Sequence, residues 1–314
     1  MSAARTAALL IAAMAVVLLP FAISGYALRL LDLSLVSAVA VIGLCFAFGC
    51  AGLLHLGQAA FVGIGAYGTG VLATRLGLGF WLSVPIALVL TAAVAIVIGA
   101  PMLRLRGHYL ALATVGFNVA MEVVAKNWID VTDGDNGLSG IPGIAVAGFR
   151  FDTDQRFYYL VLAVLTIVTL IGLAIRYSRF GRAMIAVRDD ELACGASGIS
   201  ILRVKILAFA IAAIYGGLSG TLYAHYAHYI APNDFDLIHS ITLLVMLIVG
   251  GDMSIFGAIG GSILISFAPE LLRFSGEAYL AIFGVGVLLV LVIVPEGLAG
   301  ALARLRRTAV QRDA

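Results

Sequence analysis

Residues 33–74 form a run of 42 positions without a formal charge, whereas one membrane-crossing helix needs only about 20 apolar residues. A single helix cannot absorb that length, so the chain has to turn back inside the run. Turn signals cluster at Gly49, Gly52, His55 and Gly57, which divides the stretch into spans at 33–53 and 57–74. The rest of the chain agrees with a lipid environment. It is 62% hydrophobic and 11% charged, against about 25% charged for soluble domains, and so has too few charges to cover a water-facing surface.

Further charge-poor stretches place spans at 6–28, 82–101, 108–126, 157–175, 204–226, 237–251, 255–272 and 278–295, for about ten transmembrane helices. The eighth and ninth are short, as re-entrant or broken helices would be. The start, with Arg5 before an apolar run, looks like a signal peptide but has no small-residue cleavage site, so it is read as a retained first helix. With the N-terminus inside, 13 of the 19 Lys and Arg residues fall on the cytoplasmic side, as the positive-inside rule asks. Both termini are then cytoplasmic, which an even number of spans requires. The expected fold is an all-α polytopic membrane protein with a single transmembrane domain over 1–314. It has an acidic outer loop at about 127–156, an inner loop at about 176–203 and a basic cytoplasmic tail at about 296–314. Spans 2–5 and 7–10 have opposite topologies, the pattern of two inverted repeats common in transporters. Within the inner loop, helix propensity over 182–194, ended by Gly195 and Gly198, predicts a short interfacial helix.

Gly63, Gly65 and Gly68 satisfy G-x-G-x-x-G, but a dinucleotide fingerprint needs a strand–helix setting that an apolar span does not supply. Helix packing explains the glycines better. Ala59, Gly63, Ala66 and Gly70 share one helical face, and small residues let helices approach closely in lipid. Gly257 and Gly261 repeat the device in the ninth span, beside a row of Ser254, Ala258 and Ser262. Together with the polar His55 and Gln58, these residues are candidates for helix packing or for lining a translocation path. Glu122, with Asn118 one turn before it, is an ionisable group near the membrane, or else an i,i+4 partner of Lys126. His225, His228, Asp234, Asp236 and His239 gather where the seventh span ends; they are either a wet loop or the ligands of an intramembrane metal-dependent enzyme, the alternative function class. Buried charge pairs for a secondary transporter are scarce. Cys45, Cys50 and Cys194 have neither disulfide nor metal spacing, and a net charge of +2 gives no case for nucleic acid. Neither lysine, Lys126 or Lys205, follows a glycine, so no Walker A loop exists and any ATP has to be bound by another chain.

Four blocks occur in a family-like order: GQAAFVGIGAYGTG, LSGIPG, SRFGRAMIAVRDDELACGASGI and LIVGGDMSIFGAIGG. Over about residues 33–298 the chain resembles the membrane permease subunits of branched-chain amino-acid ABC importers, particularly the LivM type. The resemblance implies ten helices in the bacterial inner membrane and no catalytic, metal or cofactor site in this chain. Its implied partners are a second permease in a heterodimer, two cytoplasmic ATPase subunits that use ATP and Mg, and a periplasmic substrate-binding protein. The implied cargo is leucine, isoleucine or valine, with urea, short amides or other amino acids as alternatives. In such importers the inner loop is the coupling segment seated in a cleft of the ATPase. That role falls here on Gly181, Arg182, Arg188, Asp189, Glu191, Ala193 and Gly198. A short helix exposing both signs of charge suits a polar protein partner. The sequence departs from the family at Asp252, where an apolar or small residue is usual, and at Cys194–Gly195, where a stronger helix former is common.

Overall fold

The computed structural model describes residues 14–105, 107–146, 148–271, 284–285, 288 and 297–300. Most of the tenth span expected at 278–295 and most of the basic tail lie outside these residues. Residues 14–22 are helical, and the chain restarts as α1 (Gly25–Leu44) behind the N-cap Ser24, whose hydroxyl accepts from the Ala27 N–H. The second helix thus begins at Gly25 rather than 33, and it takes in two charges. Arg29 lies over the Tyr226 ring at 5.9 Å, and Asp32 is fully buried. α1 is the centre of the bundle: its apolar residues from Ala38 to Ile42 are inaccessible, as expected of a helix hydrophobic on every side.

Among the described residues there are seven further long helices: α2 (Gln58–Arg75), α3 (Phe80–Met102), α4 (His108–Asn127), α5 (Asp154–Tyr177), α8 (Ile201–Ala227), α9 (Leu237–Gly250) and α10 (Ile255–Leu271), of which α5, α8, α9 and α10 pack against α1 while α3 and α4 pack against α2. Between α5 and α8 lie the short α6 (Arg179–Asp189) and α7 (Glu191–Ala196). The single helix predicted over 182–194 is two, because Asp190 is extended and its carboxylate caps the Leu192 and Ala193 N–H groups. Local capping outcompetes helix continuation there. The segment 138–150 is not wholly irregular. β1 (Leu138–Ser139) pairs antiparallel with β4 (Tyr229–Ile230), and β2 (Ala145–Val146) with β3 (Phe149–Arg150).

The bundle has two ends. One carries α6 and α7; the other carries the short strands. Among the described residues six helical segments are long and apolar enough to cross a membrane: Gly25–Cys50, Phe80–Met102, His108–Asn127, Asp154–Tyr177, Ile201–Ala227 and Pro232–Gly250. Outward-facing Val89, Val97, Leu112 and Leu170 are each more than 60% exposed, which suits helices bathed in lipid rather than water. α9 matches the eighth expected span to within a residue at each end, and α10 starts where the ninth is expected, at Ile255.

The run at 33–74 does reverse, but not by a tight turn. A π-helical stretch, Cys45–Cys50, extends α1 to the α6 end. Residues 51–57 then return without helical structure, with Ala51, Leu53, His55 and Gly57 buried and Gly52 and Leu54 exposed in alternation. Helix resumes only at Gln58. The span expected at 57–74 is therefore the helix Gln58–Arg75, preceded by a non-helical return.

Candidate translocation and coupling sites

The place where α2 begins can be located from its bonds. Gln58 Nε2 donates to the carbonyls of Ala40 (3.1 Å), near the C-terminal end of α1, and Ala212 (2.9 Å), in the middle of α8. The N-cap Gly57 has no side chain to satisfy the first N–H groups. Other helices do so instead. The Ala59 N–H donates to Ser240 Oγ (2.8 Å) and the Ala60 N–H to Asn118 Oδ1 (2.9 Å), while Asn118 Nδ2 donates to the Phe235 carbonyl (3.2 Å). Ser240 Oγ donates to Asn118 Oδ1 (3.1 Å), and the Leu56 N–H to Thr114 Oγ1 (3.0 Å). Gln58, Asn118, Ser240, Thr114 and His55 are all buried. His55 Nε2 lies 3.2 Å from Gln58 Oε1, among the rings of Phe61 and Phe209.

The same knot holds a second interrupted segment. α8 ends at His228 in the left-handed conformation, and the chain then folds back through β4 and a 3-10 turn, Pro232–Phe235, to the level of Asn118. There Asp236 caps α9 by accepting from the His239 N–H (2.8 Å). α2 runs from the knot to the strand end, where Arg75 meets Asp133 at 2.7 Å. α9 runs from it to the α6 end. Two helices thus start beside Asn118 and run to opposite ends of the bundle. Non-helical backbone is tolerated at membrane depth only where protein or a cavity receives it.

The small-residue row predicted on α2 touches side chains. A Cβ added at Gly63 would meet the Phe235 ring at 3.1 Å, and one at Gly70 would meet Leu138 and Ile141; Ala59 and Ala66 are buried. The close backbone approach is one row over. A Cβ at Gly65 would fall 2.1 Å from the Gly217 carbonyl oxygen, and one at Gly220 1.9 Å from that of Val62. At the α9–α10 crossing Gly257 faces the Gly250 carbonyl, and Gly261 faces the Met246 carbonyl at 2.0 Å.

In the α6–α7 loop, Gly181 follows the cap Ser178, and a Cβ there would strike the Arg176 carbonyl at 2.1 Å. Arg182 donates to the Tyr177 carbonyl (3.0 Å), Glu191 pairs with the buried Lys205 (2.5 Å), and Gly198 takes a positive φ of 82° just past α7. Asp189 and Ala193 are exposed. Arg188 turns inward, donating to the Gly49 carbonyl and pairing with Asp252 Oδ2 at 3.0 Å. Sequence reasoning missed Leu192, which is 82% exposed at the tip of α7. A leucine projecting from a capped, salt-bridged turn was the available signal.

The histidine–aspartate cluster disperses. His225 reaches the Pro142 carbonyl (2.7 Å) and Thr69 (2.9 Å), His228 the Ile141 carbonyl (2.9 Å), and Asp234 caps Ala231. Among the described residues no group of three or more His, Cys, Asp or Glu side chains is placed to hold a metal. Glu122 binds Lys126 at 2.7 Å, the i,i+4 partner expected from spacing. A cavity of about 400 Å³ opens on the face shared by α1, α8 and α9, beside the start of α9, and is lined in part by Ser37, Ser219, Tyr223, Asp236, His239 and Thr242.

A family model described as "Branched-chain amino acid transport system / permease component" matches residues 26–294. The chain is 34% identical over 303 residues to the high-affinity branched-chain amino acid transport system permease protein LivM of Escherichia coli K12, covering 89% of this chain and 71% of that one. It is 24% identical over 232 residues to the probable branched-chain amino acid transport permease protein LivM of Methanocaldococcus jannaschii, covering 68% and 67%. It also matches the permease LivH of Salmonella typhimurium at 26% identity over 196 residues, covering 58% and 62%. No solved structure matches it.

Proposed function

This chain belongs to the branched-chain amino acid permease family, and from that premise we propose that it is one permease subunit of an ATP-driven importer, carrying leucine, isoleucine or valine across the bacterial inner membrane. Urea, short amides and other amino acids are the alternative cargoes. A second permease completes the conduit as a heterodimer, two cytoplasmic ATPase subunits bind ATP and Mg, and a periplasmic binding protein delivers the cargo. No cofactor is assigned to this chain. The α6 end is cytoplasmic and the strand end periplasmic, with both termini inside, as the distribution of Arg176, Arg179, Arg182 and Arg188 favours.

The observation that carries the reading is the pair of helices starting beside Asn118, because transporters place their paths where helices are broken at mid-membrane. α1 followed by a non-helical return and α2, and α8 followed by a return and α9, repeat one design in opposite directions. That supports ten spans in two inverted repeats within one domain over 1–314. His55, Gln58, Ala59, Gly63, Ala66, Gly70, Gly257 and Gly261 belong to the packing that frames the path. The polar cavity beside Asp236 is its wet wall, since hydroxyls and carboxylates at membrane depth have to face protein or water.

Gly181, Arg182, Arg188, Asp189, Glu191, Ala193 and Gly198 shape the loop that docks on the ATPase, and Leu192 is its apolar anchor. Leu192→Arg leaves the fold intact, since the side chain is 82% exposed. It is expected to lower ATPase recovery with the tagged permease by about tenfold, or about 1.4 kcal/mol. Undiminished co-purification would remove Leu192 from the interface. Leucine uptake by vesicles holding the complete complex, competed by isoleucine and valine but not urea, tests the cargo.

A further inference from the structure

Arg188 sits in the last turn of α6, on the loop assigned above to the ATPase, yet its guanidinium is directed into the bundle. One nitrogen donates to the Gly49 carbonyl and the other reaches Asp252 Oδ2 at 3.0 Å. The two acceptors lie at the C-terminal ends of two helices. Gly49 lies in the π-helical end of α1, just before the non-helical return that leads to α2, and Asp252 lies one residue beyond the C-cap of α9. Arg188 therefore ties the end of α1 to the end of α9.

The local chemistry explains why an arginine is required. The π-helical turn shifts the hydrogen-bond register: the Ala51 N–H bonds Phe46, Gly52 bonds Phe48 and Leu53 bonds Ala47. None of these reaches the Gly49 carbonyl, and helix-end carbonyls need an outside donor. A cation is favoured at that negative pole. The Gly49 backbone is also pressed against the Asp252 backbone, where a Cβ would fall 1.9 Å from the Asp252 carbonyl oxygen. Cys45 Sγ lies 3.1 Å from the same oxygen. A planar guanidinium, with several donors in fixed directions, suits a carbonyl and a carboxylate held side by side. Gly52, at φ +67°, keeps the Arg188 stem close: a Cβ there would meet its Cγ at 3.0 Å.

We propose that Arg188 is the positioning residue that transmits movement of the ATPase-docked loop to the ends of α1 and α9, by holding the Gly49 carbonyl and the Asp252 carboxylate as one unit. The inference rests on the permease reading above. When the ATPases close and displace α6, the end of α1 that leads to α2 and the end of α9 travel with it, and the knot between them is pulled from the α6 end.

The test uses the complete complex in proteoliposomes with the binding protein enclosed or supplied outside, and reads cargo moved per ATP hydrolysed. Arg188→Gln, Arg188→Lys and the milder Asp252→Asn are compared with the parent. Uptake per ATP is expected to fall by about fivefold or more in Arg188→Gln. Lysine, whose compact ammonium lacks the planar preorganised fork, falls between glutamine and arginine, and Asp252→Asn retains more than Arg188→Gln because the Gly49 contact survives. A merely structural role would lower uptake and hydrolysis in proportion, leaving the ratio unchanged, and that result overturns the proposal. An unchanged ratio in Asp252→Asn together with a parental ratio in Arg188→Lys does so too. Failure of the permease reading is distinct, since the parent complex itself would then show no ATP-driven uptake.

Discussion

Asn118→Leu is expected to destabilise the chain more than any other single change at a polar position. The leucine is similar in volume, so packing is preserved while three partners are lost. The Ala60 N–H and Ser240 hydroxyl lose their acceptor, and the Phe235 carbonyl loses its donor. Asn118 is fully buried, so water cannot replace it. Each buried group left unsatisfied costs about 1–3 kcal/mol. Two backbone groups alone put the loss at about 2–6 kcal/mol, a large part of a typical folding stability of about 5–15 kcal/mol. The measurement is thermal unfolding in detergent, with Val119→Ala as the control, because Val119 on the same turn is 43% exposed. A melting temperature equal to the control's would mean that the starts of α2 and α9 are held by something other than this knot. Asn118→Asp is expected to fail as well: it keeps the acceptor but loses the donor to Phe235 and adds a charge at mid-bundle.

How much of this was legible in the sequence depends on range. The charge-free run at 33–74 revealed that the chain turns back, because charge and length are additive along the chain. It could not reveal that the return over 51–57 is non-helical. The return is held from outside by Thr114, at the Leu56 N–H, and the helix start after it by Ser240 and Asn118, all remote in sequence. The first helix boundary was misplaced because Arg29 and Asp32 were treated as loop charges, whereas Arg29 rests on the Tyr226 ring. Asp190 shows the reverse case: its capping preference was present locally but was outweighed by the helix propensity around it. Asp252 stood out only as a departure from the family. Its partner, Arg188, is 64 residues away, and no spacing rule connects them. Asn118, His55 and Gln58, polar residues in apolar stretches, were the readable signs of the knot, since such residues are costly without partners.

Gly65→Ala is the second large effect expected, and it separates two accounts of the same glycine-rich helix. If the row of Ala59, Gly63, Ala66 and Gly70 were the close-contact face, Gly63→Ala would be the more damaging change. The geometry ranks them otherwise. The Cβ at Gly65 would lie 2.1 Å from the Gly217 carbonyl oxygen and 2.5 Å from its Cα, both backbone atoms that cannot rotate away. At Gly63 the nearest atom is 3.1 Å away in the Phe235 side chain, which can yield. Overpacking costs about 1–3 kcal/mol, occasionally more, and a backbone obstacle puts Gly65 at or above the top of that range. Gly116 and Gly260 have nothing within 4 Å, so alanine there is expected to be neutral or to add up to about 1 kcal/mol of helix stability. Unfolding midpoints of these four alanine variants should rank Gly65 lowest, Gly63 intermediate, and Gly116 and Gly260 at or above the parent. A reversed order of Gly65 and Gly63 would return the contact to the predicted row. Because α2 starts at the knot, its grip on α8 at Gly65 and Gly220 is what fixes its position there. Separating those backbones would therefore loosen the path before it unfolds the bundle, and uptake should fail in Gly65→Ala at temperatures where the chain is still folded.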